Sequence, residues 1–320
     1  ATLAPSMGFL SAYRNVGSVS NSGLELTIDT KNIQTKEFSW TSSFNISFNR
    51  NKVLSLNDDE PSLASRVNWG NFNNAYPYIA IPGHPIAMFY GHIFDGVYQY
   101  TDFDKVGESY ILKDGVPNNG NAREKIQPGD IKFKDINRDG VVNDYDLTII
   151  GNPNPKHIGG FGNNFQYKNF DLNVFFQWSY GGDVLNANRI EFEGGDPNAR
   201  TSLNMFASFA NRWTPENQTN ELYRIGGQGP AVYSSRTIED GSFLRLKTIS
   251  LGYRLPNAWL KKINIKSLRV YASAQNLITW TKYSGPDPEV STRPTALTPS
   301  FDWSPYPRPR TLTLGVDISF

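Results

Sequence analysis

Five stretches of this chain alternate apolar and polar side chains with a period of two, and their polar positions are unusually poor in charge. Leu24, Leu26 and Ile28 alternate with Glu25, Thr27 and Asp29. Phe38, Trp40, Phe44, Ile46 and Phe48 alternate with Ser39, Thr41, Ser43, Asn45, Ser47 and Asn49. The pattern returns at Leu172, Val174, Phe176 and Trp178, at Leu268, Val270, Ala272 and Ala274, and at Leu312, Leu314, Val316, Ile318 and Phe320. A period of two places each apolar set on one face of a strand. Soluble strands alternate too, but their outward faces are usually rich in Lys and Glu. Here the polar face is hydroxyl- and amide-rich, and the apolar face carries large aromatics near its ends. A lipid-facing band opposite a polar lumen accounts for both faces. The last strand stops on the aromatic Phe320, the arrangement expected of a barrel-closing strand.

The remaining composition narrows the function classes. A net charge of +1 over 320 residues argues against a nucleic-acid binder steered by a basic field. No apolar run is long enough for a membrane helix, which leaves open a barrel of half-polar strands about 10 residues long. Cysteine is absent, so disulfides, thiolate metal sites and cysteine catalysis are excluded. Ala1 opens without a signal peptide, as expected of a mature chain or a piece of a longer one.

Connections between the alternating stretches differ in length. Lys31–Glu37 and Lys168–Asn169 are short, and Pro256–Lys266 is moderate. Asn51–Ile79, Thr101–Ile158, Gly181–Ser242 and Thr279–Arg308 are long and rich in Gly, Pro, Asn and Asp. Long loops on one side and short turns on the other are the barrel arrangement. The parity requires Ile79–Tyr100 to contribute two crossings or none, which predicts about eight to ten strands. Leu203, Phe206, Ala210 and Trp213 fall at helical spacing before Pro215 and predict a short helix within a loop.

The sharpest local signal runs from Asp135 to Asp146. Oxygen-bearing side chains stand at Asp135, Asn137, Asp139, Asn143 and Asp146, positions 1, 3, 5, 9 and 12 of a calcium-type loop with Gly140 at position 6. Val141 would add its backbone carbonyl. Asp in place of the usual twelfth Glu reaches less far. The competing reading is an Asx-rich turn without metal. With no flanking pair of amphipathic helices, a bound Ca2+ is expected to be a structural clip that stiffens the long loop.

No other stretch carries chemistry. His84, His92 and His157 lack metal-ligand spacing, and no nucleophile elbow, phosphate loop or zinc motif occurs. Asp58–Asp59 and the pair Glu191 and Glu193 could be glycosidase carboxylates only if set about 5 to 9 Å apart across a cleft, and nothing in the sequence does that. The chain is therefore expected not to be an enzyme. Trp69, Tyr76, Tyr78, Tyr223, Tyr233, Trp303 and Tyr306 could stack on sugar rings or pack the loops together.

Longer motifs resemble a known family. They are Gly129-Asp130-Ile131-Lys132-Phe133-Lys134-Asp135-Ile136-Asn137 through Asp146, then Ile150-Gly151-Asn152-Pro153 and Glu239-Asp240-Gly241-Ser242-Phe243-Leu244-Arg245-Leu246-Lys247. Leu251-Gly252-Tyr253, Ser267-Leu268-Arg269-Val270-Tyr271, Gln275-Asn276-Leu277, Trp280-Thr281-Lys282-Tyr283-Ser284-Gly285 and Tyr306-Pro307-Arg308-Pro309-Arg310-Thr311 follow. In order and extent they resemble the SusC/RagA family of TonB-dependent transporters. The resemblance implies an all-β fold, the C-terminal portion of a large antiparallel transmembrane β-barrel of about 22 strands with long extracellular loops. It implies import of oligosaccharides or peptides across the outer membrane of Bacteroidetes-type Gram-negative bacteria. Energy would come from TonB, ExbB and ExbD, and a SusD-like lipoprotein would act as the lid. Residues 1–320 would then be one barrel segment with a calcium-loop insertion at 129–151. The family's plug domain, N-terminal extension and first barrel strands are absent and would be supplied elsewhere. Substrate residues are not identifiable at this stage. The alternative is a secreted calcium-dependent carbohydrate-binding β protein, which needs its apolar strand faces buried against a second sheet.

Overall fold

The computed structural model describes residues 15, 17–57, 60–67, 75–194, 203–260, 264–292 and 295–320. Seven long strands form one antiparallel sheet in sequence order: β1 (Gly17–Gln34), β2 (Phe38–Leu56), β3 (His157–Tyr167), β4 (Phe170–Tyr180), β5 (Phe243–Arg254), β6 (Ser267–Thr281) and β7 (Thr311–Ser319). Each strand pairs with the next, so the sheet is an up-and-down meander whose edges are β1 and β7. The turns 35–37, 168–169 and 255–266 lie at one end and the connections 57–156, 181–242 and 282–310 at the other. The expected parity holds once Ile79–Tyr100 contributes no crossing. Asn51–Ile79 and Thr101–Ile158 thus belong to one connection, and among the described residues the long strands of the main sheet number seven rather than eight to ten. The apolar residues of Ile79–Tyr100 are spent on small sheets within that connection. Tyr78–Ala80 and Met88–Gly91 pair with Leu63–Ser65 and Thr148–Gly151, and Phe94–Val97 pairs with Ile131–Phe133.

Pairing registers keep like side chains in rows across the sheet. Ile28, Phe44, Phe161, Phe176, Leu246 and Ile278 form one row on one face. A second row on that face joins Phe38, Tyr167, Phe170, Tyr253, Val270 and Val316 near the short turns. Trp178, Leu244 and Trp280 lie near the long connections, with Tyr180 beside them. Ten residues from Phe170 to Tyr180 separate the two aromatic girdles along β4. At about 3.4 Å per residue and a tilt of about 40°, that is roughly 25 Å, the height of an outer-membrane apolar band.

This apolar face is exposed. Leu251 is 51% accessible, Leu312 77% and Leu314 87%, and Ile28, Phe161, Leu244, Val270 and Trp280 are also exposed. Each such side chain left in water forgoes about 1.5 to 3 kcal/mol of burial. A water-soluble sandwich would cover that face.

The buried core lies in the long connections instead. Val67, Tyr78, Ala87, Phe89, Leu185, Ala187 and Phe301 form one cluster. Val97, Ile131, Phe133, Val142, Trp213, Leu222 and Tyr223 form another. Loop aromatics therefore mainly pack loops: Tyr78 and Tyr223 are buried, Tyr233 donates to the Tyr90 carbonyl, and Trp303 stacks on Phe192. Tyr76 and Tyr306 are exposed, while Asp58, Asp59 and Trp69 lie outside the described residues. The helix expected around Leu203–Trp213 is not formed. A single 3-10 turn spans Ala207–Asn211, and Trp213 leaves it to enter the second cluster, where its indole donates to Gln99. Burial of one large side chain in that cluster outweighs a four-point apolar pattern with too few residues to nucleate a helix.

Among the described residues the one α-helix of more than a turn, α1 (Asn188–Gly194), carries Glu193, which accepts from Arg189, Ser208 and Arg236. Burial opposes its charge, but Arg189, Ser208 and Arg236 outweigh that and hold its pKa below the usual carboxylate range. A depressed folded-state pKa stabilises above the unfolded value and is lost as pH falls through the folded one. Hydrogen-exchange protection, relative to the intrinsic rate at each pH, should therefore fall at 188–194 and 203–211 as pH drops below about 4. It should not in Glu193→Gln, whose loop is uniformly weaker; equal acid sensitivity in both proteins would remove Glu193 from the account.

Candidate functional site

The polar face of the sheet carries the candidate site. Asn45, Gly160, Gln177, Arg245 and Thr279 form one row across β2 to β6, and Ser47, Ile158, Ser179 and Phe243 form the next. Between this wall and the 282–310 connection lies a cavity of about 560 Å³, lined by Asn45, Ser47, Phe175, Gln177, Phe243 and Glu289 among others. Phe175 is the one large aromatic that alternation sends to the polar side of β4. Its ring lies over Gly160, where a Cβ would come within 2.9 Å of it.

Arginines at this face form ion pairs. Arg245 is 2% exposed and donates to Asp287 at 2.7 Å, to Glu289 at 2.6 Å and to the Thr279 hydroxyl at 3.0 Å. Arg308 meets the same two carboxylates at 3.0 and 2.9 Å. Nearer the short turns, Arg269 bridges Asp171 of β4 at 2.6 Å and Asp317 of β7 at 3.2 Å. Reaching Asp171 takes the guanidinium over Gly252 of β5, where a Cβ would stand 2.4 Å from it. A glycine is needed for that passage.

The calcium-type loop lies in the first long connection. Asp135 accepts from the Arg138 and Gly140 N–H groups, Asn137 from Asp139, Asp139 from Val141 and Asn143 from Tyr145. Asp146 is fully buried and accepts from Ile136 at 2.7 Å and from Asn143 at 2.9 Å, closing the loop on itself. Arg138 and Gly140 have φ of 62° and 85°, which coil the chain tightly. The donor set suits a hard cation. Among the described residues, however, no three His, Cys, Asp or Glu side chains converge on one metal position. The loop oxygens accept from the loop's own N–H groups.

The remaining sequence candidates are structural. His92 stacks on Phe133, and His157 stacks on Tyr180 and accepts from the Trp178 indole. Glu193 is held by arginines as described. Sequence reasoning left substrate residues open and missed Arg245, Gln177, Asp287 and Glu289. Arg245 was marked only by alternation, which sends it to the polar side of β5. Its carboxylate partners lie 42 and 44 residues further along a loop with no periodicity.

A meander with short turns at one end, long folded connections at the other, an exposed apolar band between aromatic rows and a polar inner face defines a portion of a transmembrane β-barrel. Comparisons agree. No family model matches the chain. It is 35% identical, over 98% of its length, to TonB-dependent receptor P3 of Formosa agariphila, of which it spans 30%. It is 30% identical, over 96% of its length, to TonB-dependent receptor SusC of Bacteroides thetaiotaomicron, of which it spans 27%. It superposes along its whole length on 31% of a chain in the structure of the RagAB peptide transporter, with a TM-score of 0.74 and 25% identity. The chain belongs to the SusC/RagA family of TonB-dependent receptors. It spans less than a third of the curated relatives it matches.

Proposed function

We propose that this chain is the C-terminal part of the barrel of an outer-membrane nutrient importer, with its polar face lining the passage. The supporting observation is the inversion of burial: the sheet's apolar face is exposed between aromatic girdles, while ion pairs and a cavity occupy its polar face. The secreted carbohydrate-binding alternative needs the apolar faces covered, and among the described residues they are not. In this reading the missing strands and plug come from the rest of the barrel and pair with the edges β1 and β7, because unpaired backbone in lipid is prohibitive. TonB, ExbB and ExbD act through that missing part. A SusD-like lipoprotein caps the long connections, and the cargo, an oligosaccharide or a peptide, crosses without covalent change. The similarity to a TonB-dependent receptor supports the energy coupling, and the likeness to the RagAB peptide transporter supports the peptide as cargo. Deleting the whole gene should abolish growth on the cognate oligosaccharide or peptide as sole nutrient. Depleting TonB should do the same; uptake that persists without TonB would refute an energised importer.

We further propose that the 129–151 insertion binds Ca2+ through Asp135, Asn137, Asp139, the Val141 carbonyl, Asn143 and Asp146, as an extracellular brace for the lid-docking surface. Each carboxylate oxygen that accepts one backbone N–H keeps a second lone pair for a cation. Calorimetry on the detergent-solubilised transporter should show one site of about 10⁻⁴ to 10⁻³ M, as in extracellular calcium modules. Asp135→Ala with Asp139→Ala should remove it. Equal heats from both proteins would leave a hydrogen-bonded turn, and lid binding unchanged by chelator would separate the loop from docking.

A further inference from the structure

The stretches Glu239–Lys247 and Lys282–Arg308 are tied together at two points. At the mouth of the sheet the Glu239 carboxylate accepts from both the backbone N–H and the hydroxyl of Ser284, each at 2.8 Å. Six residues on, at the inner wall, Arg245 holds Asp287 and Glu289. Gln177 of the neighbouring strand donates to Glu289 at 3.3 Å, and the Thr281 hydroxyl donates to the Ser242 carbonyl at 2.8 Å. Flanking the anchored residues, Tyr283 and Val290 pack with Val184 in a small apolar cluster, and the Tyr283 hydroxyl donates to Asp302.

The chemistry of the second anchor makes it a lock. Arg245 cannot turn away, since strand alternation commits it to the polar row and its side chain is 2% exposed. A buried guanidinium needs carboxylates or other acceptors. Asp287 and Glu289 are also shared with Arg308, so two cations face two anions and the cluster is neutral only with the loop in place. Lifting the loop off the wall would strand Arg245.

We infer that Glu239 and Arg245 clasp the segment Ser284–Glu289 against the inner wall, making this loop a fixed constriction of the passage whose release widens it. The inference rests on the reading above that the polar face lines the passage. Arg245 is a positioning residue here.

The test uses the full-length transporter in outer-membrane vesicles, with Val290→Cys as the sole reactive thiol and a large maleimide as the probe. Val290 is 9% exposed, so labelling reports lifting of the loop. Arg245→Gln should speed labelling by about ten-fold or more, as expected when a local opening becomes cheap. Arg245→Lys, which keeps the charge but not the fork, should fall between. In intact cells, TonB-driven influx of oligosaccharides or peptides just above the wild-type size limit should rise in parallel. Barrel integrity is read from heat-modifiable mobility on gels. Should Arg245→Gln fail to fold, Glu239→Gln, an isosteric change at the loop anchor beyond the wall, gives the same comparison with the lumenal cluster intact. Wild-type labelling rates in a folded variant would overturn the clasp. Faster labelling with unchanged influx would overturn the constriction while leaving the loop tethered. Uptake that is independent of TonB would strike at the importer reading without touching the labelling result.

Discussion

Val174→Lys in the assembled barrel should destabilise it by about 2 to 4 kcal/mol, the cost of a cation near the membrane midplane on the lipid side. Asn173→Lys, one residue away, should change stability by about 0.5 kcal/mol or less, as surface substitutions usually do. Val174 shares the outer face with Leu172 and Phe176, midway between the girdle residues Phe170 and Tyr180. Asn173 shares the inner face with Asp171 and Gln177, and its amide already faces Asn164 across the strand pair. The two substitutions add the same charge and differ only in the face that receives it. Reversible urea unfolding in lipid vesicles measures both. Equal costs would show that both faces meet the same solvent, and a soluble β protein would replace the barrel.

Gly129→Ala should cost about 2 to 5 kcal/mol in the stability of the first long connection, summing an unfavourable left-handed backbone and an overpacked contact. Gly129 has φ of 90°, and an added Cβ would lie 2.4 Å from the Trp213 ring and 3.0 Å from the Arg224 Cβ. Its backbone cannot relax freely, because Gly129 N–H donates to Tyr98 O at 2.7 Å and its carbonyl accepts from Arg224 at 2.8 Å. Neighbouring Asp130 pairs with Arg224 at 2.8 Å, so the strain would pass into that contact. Burial is the main influence on Asp130 and raises its pKa, against the opposing effects of the Gln127 N–H and Arg224. Trp213 fluorescence and limited proteolysis between 98 and 147 would report the loss. A substitution that left both unchanged would mean that Gly129 is replaceable and the Trp213 approach incidental. Membrane insertion should survive, since the seven strands do not depend on this contact.

Several features were legible in the sequence because their physics is local. Strand alternation depends only on successive side chains pointing opposite ways, so β2, β4, β6 and β7 could be traced from their residues. Short turns such as Lys168–Asn169 declare themselves by the break between two alternating runs. The calcium-type loop shows by spacing, while the bonds of Asp146 to the Ile136 and Asn143 N–H groups do not. The Leu203–Trp213 helix failed for the opposite reason: Trp213 answers to Gln99 and Tyr223, which no local pattern contains. Ile79–Tyr100 was ambiguous because short buried loop strands read like membrane strands.

By itself the sequence determined which residues share a face of each strand, because a period of two is imposed by the strand's own backbone; that the apolar face is left uncovered was decided by the tertiary structure. The tertiary structure alone decided how the long connections use their charges. Arg245 meets Asp287 and Glu289, and Arg269 crosses Gly252 to Asp171, only when strands distant in sequence are paired in register. Ion pairs form through space between groups whose separation along the chain carries no period, so the charged polar face and the loop held against it appear only in the folded molecule.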